Sequence, residues 1–518
     1  MKRHSQSRIV LSAVALALAT LTGFARAADN PDLPKLVEGN SQFACDLYTK
    51  VAAGGDQNIF LSPYSISTAL GMTYAGARGN TEKQMAATLH FDLPQDRLHA
   101  AFSSLGAALG VDTPPVGEGK PPSFQLVTAN GLWKQKNVAF LDAFLAGAKK
   151  NYAAELRDAD FKTAFEPARL AINDWVANQT LDKIKDLIAP GVLKPNTRMV
   201  LANAIYFKAA WQNPFGKAAT QDGPFTLGDG KTVQTPLMRE KKRLTYFEDD
   251  TLQAVQLPYV RDQLSMLVLV PRKPDGLPAL EKQLSAKMFV DITAAAKLRL
   301  VDLTLPRFKT TAHFSLADTL AGMGMAEAFS DDANFSGMTG DQTLYISAVE
   351  HQAFVNVDEE GTEAAAATAG VMAGKGAPRP EDAVTVKVDR PFFFLVRHNA
   401  TGAIVFMGRV TNPAAGTAAA LAPATKRAQP IAIAGQADAR APGYIVLFEN
   451  TVNAAAEVAR LEKLYNFTHT HIYDMPGFKG FAGTIAPEAI EKLRWEMTIK
   501  SIEHDGTATI NAAGAAAN

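Results

Sequence analysis

The sequence predicts an α+β protein built as two units: a large one with several sheets and surrounding helices, and a small βαββαβ unit near the C-terminal end. Three observations carry that reading. Apolar residues recur at helical spacing early in the chain, whereas alternating or continuous apolar runs dominate after Met199. Residues 414–442 are small, rich in Pro, Gly and Ala and without aromatics, and so read as a flexible linker between two patterned regions. The length, 518 residues of which 47% are hydrophobic, exceeds one ordinary domain.

Taken in order, Lys2, Arg3 and Arg8 form a basic head, Ile9 to Phe24 an apolar middle, and Ala25-Arg26-Ala27 a small-x-small cleavage site. Residues 1–27 therefore read as a secretory signal, and the protein as secreted or periplasmic, with no membrane association once the signal is removed. A retained anchor is the alternative, disfavoured by the short span and the cleavage site. Asn40–Ala52 carries Phe43, Ala44, Leu47 and Val51 as a helical stripe; Cys45 within it reads as a small apolar residue rather than a redox thiol. Ser62-Pro63 opens a helix, Ser as cap and Pro in the first turn. Phe124–Lys134 reads as a strand and Leu170–Leu187 as a helix. Strands follow at Val200–Phe207, Gln253–Tyr259, Ser265–Pro271 and Leu300–Leu305, then a helix at Ala312–Met325. Tyr345–Val357 and Phe392–Arg409 are strand-rich.

Beyond the linker, strand Tyr444–Phe448, helix Asn453–Tyr465, strands Thr468–Tyr473 and Gly480–Ile485, helix Pro487–Trp495 and strand Ile499–Ile502 give a ferredoxin-like order over residues 443–511. Residues 512–518 read as a disordered Ala-rich tail.

Composition narrows function. With 52 Lys+Arg against 52 Asp+Glu, the chain lacks the basic excess that nucleic-acid binding needs. One cysteine excludes an intramolecular disulfide and any cysteine cluster for a metal. There is no Gly-x-Ser-x-Gly elbow, phosphate-binding Gly loop or His-Glu-x-x-His, so an enzyme is not expected, nor a cofactor. His469 and His471 alternate on one expected strand face, and without a third ligand they do not make a metal site.

The segment from Glu359 is the most informative. Gly361, Thr362, Glu363, Ala364, Ala365, Ala366, Ala367 and Thr368 are small almost throughout, yet lie between two motif-rich strands. As a strand, Thr362, Ala364, Ala366 and Thr368 would share one face, small enough to slide between existing strands, with Glu363 on the other.

The runs NIFLSPYSISTALGMTYAGARGNT from Asn58, LANAIYFKAAWQNPF from Leu201, LPYVRDQLSMLVLVP from Leu257, LYISAVEHQAFVNVDEEGTEAAAAT from Leu344 and DRPFFFLVRHNATGAIVFMGRVTNP from Asp389 agree in order and spacing. Residues 28–413 resemble a serpin. The resemblance implies a serpin fold with an exposed reactive loop that a serine protease cleaves and that then inserts into the central sheet. Glu359 matches the glutamate that starts the hinge, and counting sixteen residues on places the reactive bond at Lys375-Gly376. A lysine there suits a trypsin-like protease; Arg379, Met372 and Ala373 are rivals. The resemblance further assigns Ser62, Ser65, Asn203 and His351 to a polar cluster under the sheet and Trp211 to the insertion point. Arg307 is placed to pair with Glu359 there, at a modest value.

Residues 443–511 resemble a subtilisin propeptide-like inhibitor domain, through the first strand, Leu461 and Tyr465, the run Phe478-Lys479-Gly480-Phe481-Ala482, the Pro487–Leu493 helix and Ile502 to Asp505. In that family the residues after the last strand, here Gly506, Thr507, Ala508, Thr509 and Ile510, enter the cleft of a subtilisin-like protease. The expected protein is a monomer with two inhibitor domains; a non-inhibitory binding or chaperone-like protein is the alternative.

Overall fold

The computed structural model describes residues 30–53, 55–110, 124–152, 154–362, 382–415, 433–434, 443–448, 454–465, 467–475, 478–494 and 499–505. The expected signal, the loop from Glu363 through Arg379 and the tail Gly506–Ile510 lie outside them. The chain divides into two compact units, Met1–Leu421 and Ala422–Asn518.

The large unit holds a six-stranded sheet in the spatial order Phe308–Ser315, Ile346–Val357, Gly361–Thr362, Met199–Ala210, Phe124–Gln135 and Glu155–Ala159. A nine-stranded sheet runs Ile59–Leu61, Ile404–Val410, Phe392–His398, Leu264–Pro271, Leu252–Pro258, Thr232–Glu248, Lys297–Pro306 and Val384–Lys387, with Gln221–Thr226 on the long Thr232–Glu248 strand. Leu264–Pro271 is buried at every position, which is why it reads as a continuous apolar run. Helix Pro63–Tyr74 is buried all round and lies in the core; the Ser62 side chain accepts from the Ser65 amide, and Pro63 occupies the first turn.

Helix Phe161–Gln179 covers the opposite, outer face of the six-stranded sheet. Its Ile172, Trp175 and Val176 pack on Ala129, Trp133, Val200, Ala202, Ala204 and Ala348. The alanines keep that face shallow, so a helix can lie against it.

Two expected elements differ. Ala312–Met325 is not one helix: a strand runs to Ser315, then a helical turn covers Ala317–Leu320 and a wider turn Ala321–Met325. The alternate burial of Phe308, Thr310, Ala312 and Phe314 is a period of two that outcompeted local helix propensity. The helix expected at Leu170–Leu187 instead spans Phe161–Gln179. Asp160 caps its start by accepting from the Thr163 amide at 3.1 Å, and left-handed Leu181 and Asp182 (φ 53° and 60°) follow its end.

In the small unit the order is strand Gly443–Phe448, helix Ala454–Tyr465, strands Thr468–Met475 and Phe478–Thr484, helix Pro487–Leu493 and strand Ile499–Asp505. Val446, Phe448, Val458, Leu461, Phe481 and Ile502 are among its core residues. Ile433–Ala434, inside the expected linker, pairs in parallel with the last strand. His469 and His471 do not share a face. A bulge between them pairs His469 with Gly483 but His471 with Ala482. His469 reaches Glu462 of the helix at 2.8 Å, while His471 packs at a tilt against Tyr473 with ring centroids 4.7 Å apart.

Candidate functional site

The Met199–Ala210 and Ile346–Val357 strands pair directly and in parallel, from Ile346 opposite Met199 to Phe354 opposite Tyr206. Beyond Phe354 they part. Into that opening the chain returns as Gly361 and Thr362, antiparallel to both neighbours: Thr362 lies opposite Val357 and Ala209, and Gly361 opposite Ala210. The six-stranded sheet thus has a closed seam with a two-residue strand lodged at its upper end.

The opening is held by a dense set of contacts. The Glu359 side chain is 3% exposed and receives Arg307 through Nε at 2.9 Å to both carboxylate oxygens and through Nη2 at 2.5 Å. Thr220 donates its hydroxyl to the same carboxylate. Burial raises the Glu359 pKa, but these hydrogen bonds outweigh it and hold the group below its usual range. The main chain of Glu359 and Glu360 accepts from the amides of Phe215 and Trp211, each at 2.9 Å. Trp211 also donates its indole N–H to the Asp358 carbonyl at 2.9 Å and stacks on Tyr259, centroids 4.6 Å apart. The Tyr259 hydroxyl meets Thr362 Oγ1 at 2.8 Å, with both side chains buried. Gly361 has φ +153°, and a Cβ there would sit 2.1 Å from the Ala209 carbonyl oxygen, so no other residue fits without moving the backbone.

Lower down, the seam closes over a neutral hydrogen-bonded chain. His351 and Asn203 are register partners across it, and His351 Nδ1 bonds Asn203 Oδ1. Nε2 accepts from the Ser62 amide at 3.1 Å, so the proton sits on Nδ1. Asn203 Nδ2 donates to the Ser65 carbonyl at 3.1 Å, to Ser65 Oγ at 2.6 Å and to Asn130 Oδ1. Ser62 donates its hydroxyl to the Val405 carbonyl at 2.7 Å, tying the chain to the other sheet. Complete burial drives the His351 pKa down to about 3, so the ring is neutral. It is a structural hydrogen-bond partner rather than a base.

The sheet thus has a closed parallel seam, with the buried Glu359 at its upper end and a polar hydrogen-bonded chain beneath. The serpin (serine protease inhibitor) family matches residues 38–413. The chain belongs to the serpin family. Over 390 residues it is 40% identical to the leukocyte elastase inhibitor of Sus scrofa, covering 74% of this chain and all of that one. It is 39% identical to the Homo sapiens leukocyte elastase inhibitor over 391 residues, with the same coverage. Among solved structures, uncleaved ovalbumin aligns with a TM-score of 0.65 at 26% identity, covering 73% of this chain and all of that one. Human thyroxine-binding globulin complexed with thyroxine aligns with a TM-score of 0.65 at 32% identity, covering 74% of this chain and 99% of that one.

As a serpin the chain is a protease-inhibitor family member and not an enzyme. Within it, Ser62, Ser65, Asn203 and His351 meet in one hydrogen-bonded chain, and Trp211, Arg307, Glu359, Gly361 and Thr362 meet at the upper opening. The Arg307–Glu359 pair is more than the modest surface bridge expected from sequence, because its acid is almost wholly buried. Lys375, Gly376, Glu363, Ala364, Ala365, Ala366, Ala367 and Thr368 lie outside the described residues, as do the rivals Arg379, Met372 and Ala373. Sequence reasoning missed three participants: Asn130, Tyr259 and Thr220. Asn130 had a signal, an asparagine in the middle of the otherwise strand-like run from Phe124 to Lys134.

Proposed function

We propose that this serpin inhibits a trypsin-like serine protease by cleavage at Lys375-Gly376 and insertion of the preceding segment into the closed seam. The lodged Gly361–Thr362 strand carries this reading, because it already holds the register that insertion would extend. Each further loop residue moves one position down both neighbours. From Thr362 opposite Val357 and Ala209, six steps place Thr368 opposite His351 and Asn203. Ten steps place Met372 opposite Met199, where the seam begins. Lys375 would then leave the bottom of the sheet with its acylated protease attached, and the segment's small residues would pass without burying a charge on the inner face.

Mixing the full chain with trypsin and resolving the products on a denaturing gel tests this. A covalent band at the combined mass is the expected result. Clipped protein alone would instead support a binding role, and a covalent adduct with an elastase-like enzyme but not trypsin would move the reactive bond to Met372 or Ala373. Ala364→Arg, two steps beyond the lodged Thr362 on the same face, should give clipped product only, because insertion would bury its charge.

We further propose export through the basic, apolar and small-x-small order of residues 1–27, and a second, reversible inhibitory activity in the small unit toward subtilisin-like proteases. The order of its elements supports the latter, together with the small residues Gly506 to Ile510 that follow the last strand. Residues 443–518 alone should slow subtilisin without a covalent product. An inhibition constant unchanged by removing everything after Asp505 would exclude the tail from the cleft.

A further inference from the structure

We propose that Tyr206 and Phe354 form the first rung of the seam to part, and that Lys183 and Lys309 latch it from the outer face. Resting on the insertion reading given above, this assigns the rate of strand uptake to four side chains. Phe354–Tyr206 is the uppermost pair at which the two strands meet directly, immediately below the lodged Gly361–Thr362 strand. Their rings lie 6.3 Å apart between centroids, tilted by 34°, and both are buried. Paired strands stand about 4.8 Å apart, so one inserted strand would roughly double the separation and carry the rings beyond the ~7 Å limit of aromatic contact. Nothing can enter the seam without breaking this pair.

Each ring also carries a cation. Lys183 Nζ lies 5.8 Å from the Tyr206 centroid and Lys309 Nζ 5.4 Å from that of Phe354. Lys309 belongs to the Phe308–Ser315 strand, whereas Lys183 comes from the segment that follows the Phe161–Gln179 helix. That segment is tied down at Ile188: its carbonyl accepts from Arg169 and Asn173, each at 2.9 Å, and its amide donates to Asn173 at 2.8 Å. Three non-glycine residues in the segment have left-handed backbones, Leu181, Asp182 and Asp186, with φ of 53°, 60° and 55°. For a leucine this conformation is costly, and it persists only where surrounding contacts impose it. The helix therefore delivers Lys183 over the rung by way of a strained, anchored turn. The latch acts on the outer face, whereas the His351–Asn203 chain acts beneath, so the seam is held from both sides.

The test uses the full chain and a synthetic peptide, EAAAATAGVM, corresponding to residues 363–372. Uptake is followed by native electrophoresis and by the rise in Tm of the complex. The double variant K183A/K309A alters two exposed lysines and should keep the fold; its uptake should be about five- to tenfold faster, as expected for the loss of two exposed cation–ring contacts. Phe354→Leu keeps an apolar side chain but removes the ring and should also accelerate uptake, while Lys282→Ala, an exposed lysine elsewhere, should not. Equal uptake rates in wild type, K183A/K309A and Phe354→Leu overturn the latch. Acceleration equal to that of Lys282→Ala also overturns it. The trypsin gel separates the two readings. A wild type that forms no covalent complex, with variants that still take up peptide faster, retains the latch and removes the inhibitory reading. The reverse pattern does the opposite.

Discussion

The two ends of the seam are held by different chemistry. At the top, a buried carboxylate is gripped by a guanidinium, and backbone groups of Asp358, Glu359 and Glu360 are used up by Trp211 and Phe215. In the middle the hydrogen-bonded chain is itself uncharged, a neutral imidazole, two amides and two hydroxyls that satisfy one another, while the neighbouring Glu350 is buried against His313 at 2.9 Å. On the insertion proposed above, the difference follows from what each place would do. The top would fix a hinge in a single register, for which a bidentate pair gives directional grip. The middle would open to admit a strand and offer it partners. Neutral groups part at lower cost than a buried ion pair, whose separated members would each need solvation.

Breaking the upper end should have the largest effect. Arg307→Met leaves the Glu359 carboxylate buried without its charged partner, though the Thr220 hydroxyl still donates to it. The cost is about 3 kcal/mol, at the low end for a buried pair because Arg307 is 43% exposed. It should appear as a lowered Tm and faster self-association on heating. A Tm within error of wild type would reduce this pair to a surface bridge. Asn203→Ala tests the middle. It removes the acceptor of His351 Nδ1–H and three donated bonds, leaving buried groups unsatisfied at about 2 kcal/mol. Its peptide uptake should rise while the Arg307–Glu359 pair stays intact, so chemical denaturation and uptake should separate the two ends.

Acid should discriminate between them without mutation. The His351 pKa falls to about 3 on folding, from an unfolded value of about 6.5. Between these values the unfolded chain binds a proton that the native chain does not, so stability rises with pH and is lost as pH falls below about 6.5. At pH 5 the loss amounts to about 2 kcal/mol, on the order of 1.4 kcal/mol per pH unit. Glu359 is shifted in the same direction but from a lower starting range, so its contribution is present above the usual carboxylate range and is lost only in stronger acid. Denaturant midpoints measured from pH 7 to pH 5 should therefore fall in wild type and much less in His351→Gln. Equal slopes would mean that the middle does not titrate.

Much of this was legible in the sequence, but unevenly. The glutamate-led hinge and the residues His351, Asn203, Ser62 and Ser65 were readable because long runs of order and spacing carry them. Their partners were not. Tyr259 closes a strand-like run and looks like core; only its placement under Thr362 gives the hydroxyl a role. Thr220 lies in a stretch with no pattern, at the end of a short turn. The burial of Glu359 in the Arg307–Glu359 pair was not legible because sequence gives charge but not burial. The helix expected at Ala312–Met325 failed for the converse reason: a two-residue alternation inside a sheet reads locally like part of a helical stripe. The two histidines of the small unit were separated by a bulge, which shifts register by one residue and leaves no mark in composition.

The smallest effect sharpens the comparison most. Thr362→Val keeps the shape of a fully buried side chain but removes the hydroxyl that meets Tyr259 at 2.8 Å. The Tyr259 hydroxyl is then buried without this partner, at a cost of about 1 kcal/mol. That cost falls on the lodged strand alone, since Thr362 pairs only with Val357 and Ala209. Global Tm should barely move, while hydrogen exchange at the Thr362 and Trp211 amides should quicken about fivefold, as a local opening that does not reach the middle of the seam. Adding Tyr259→Phe removes the orphaned hydroxyl and should restore most of the protection, because deleting both partners of a buried hydrogen bond is close to neutral. If the double variant exchanges as fast as Thr362→Val, the strand is held by its backbone contacts with Trp211 and not by this side-chain bond. The top of the seam would then be as replaceable as the middle, and the contrast between the two ends would rest on Arg307 alone.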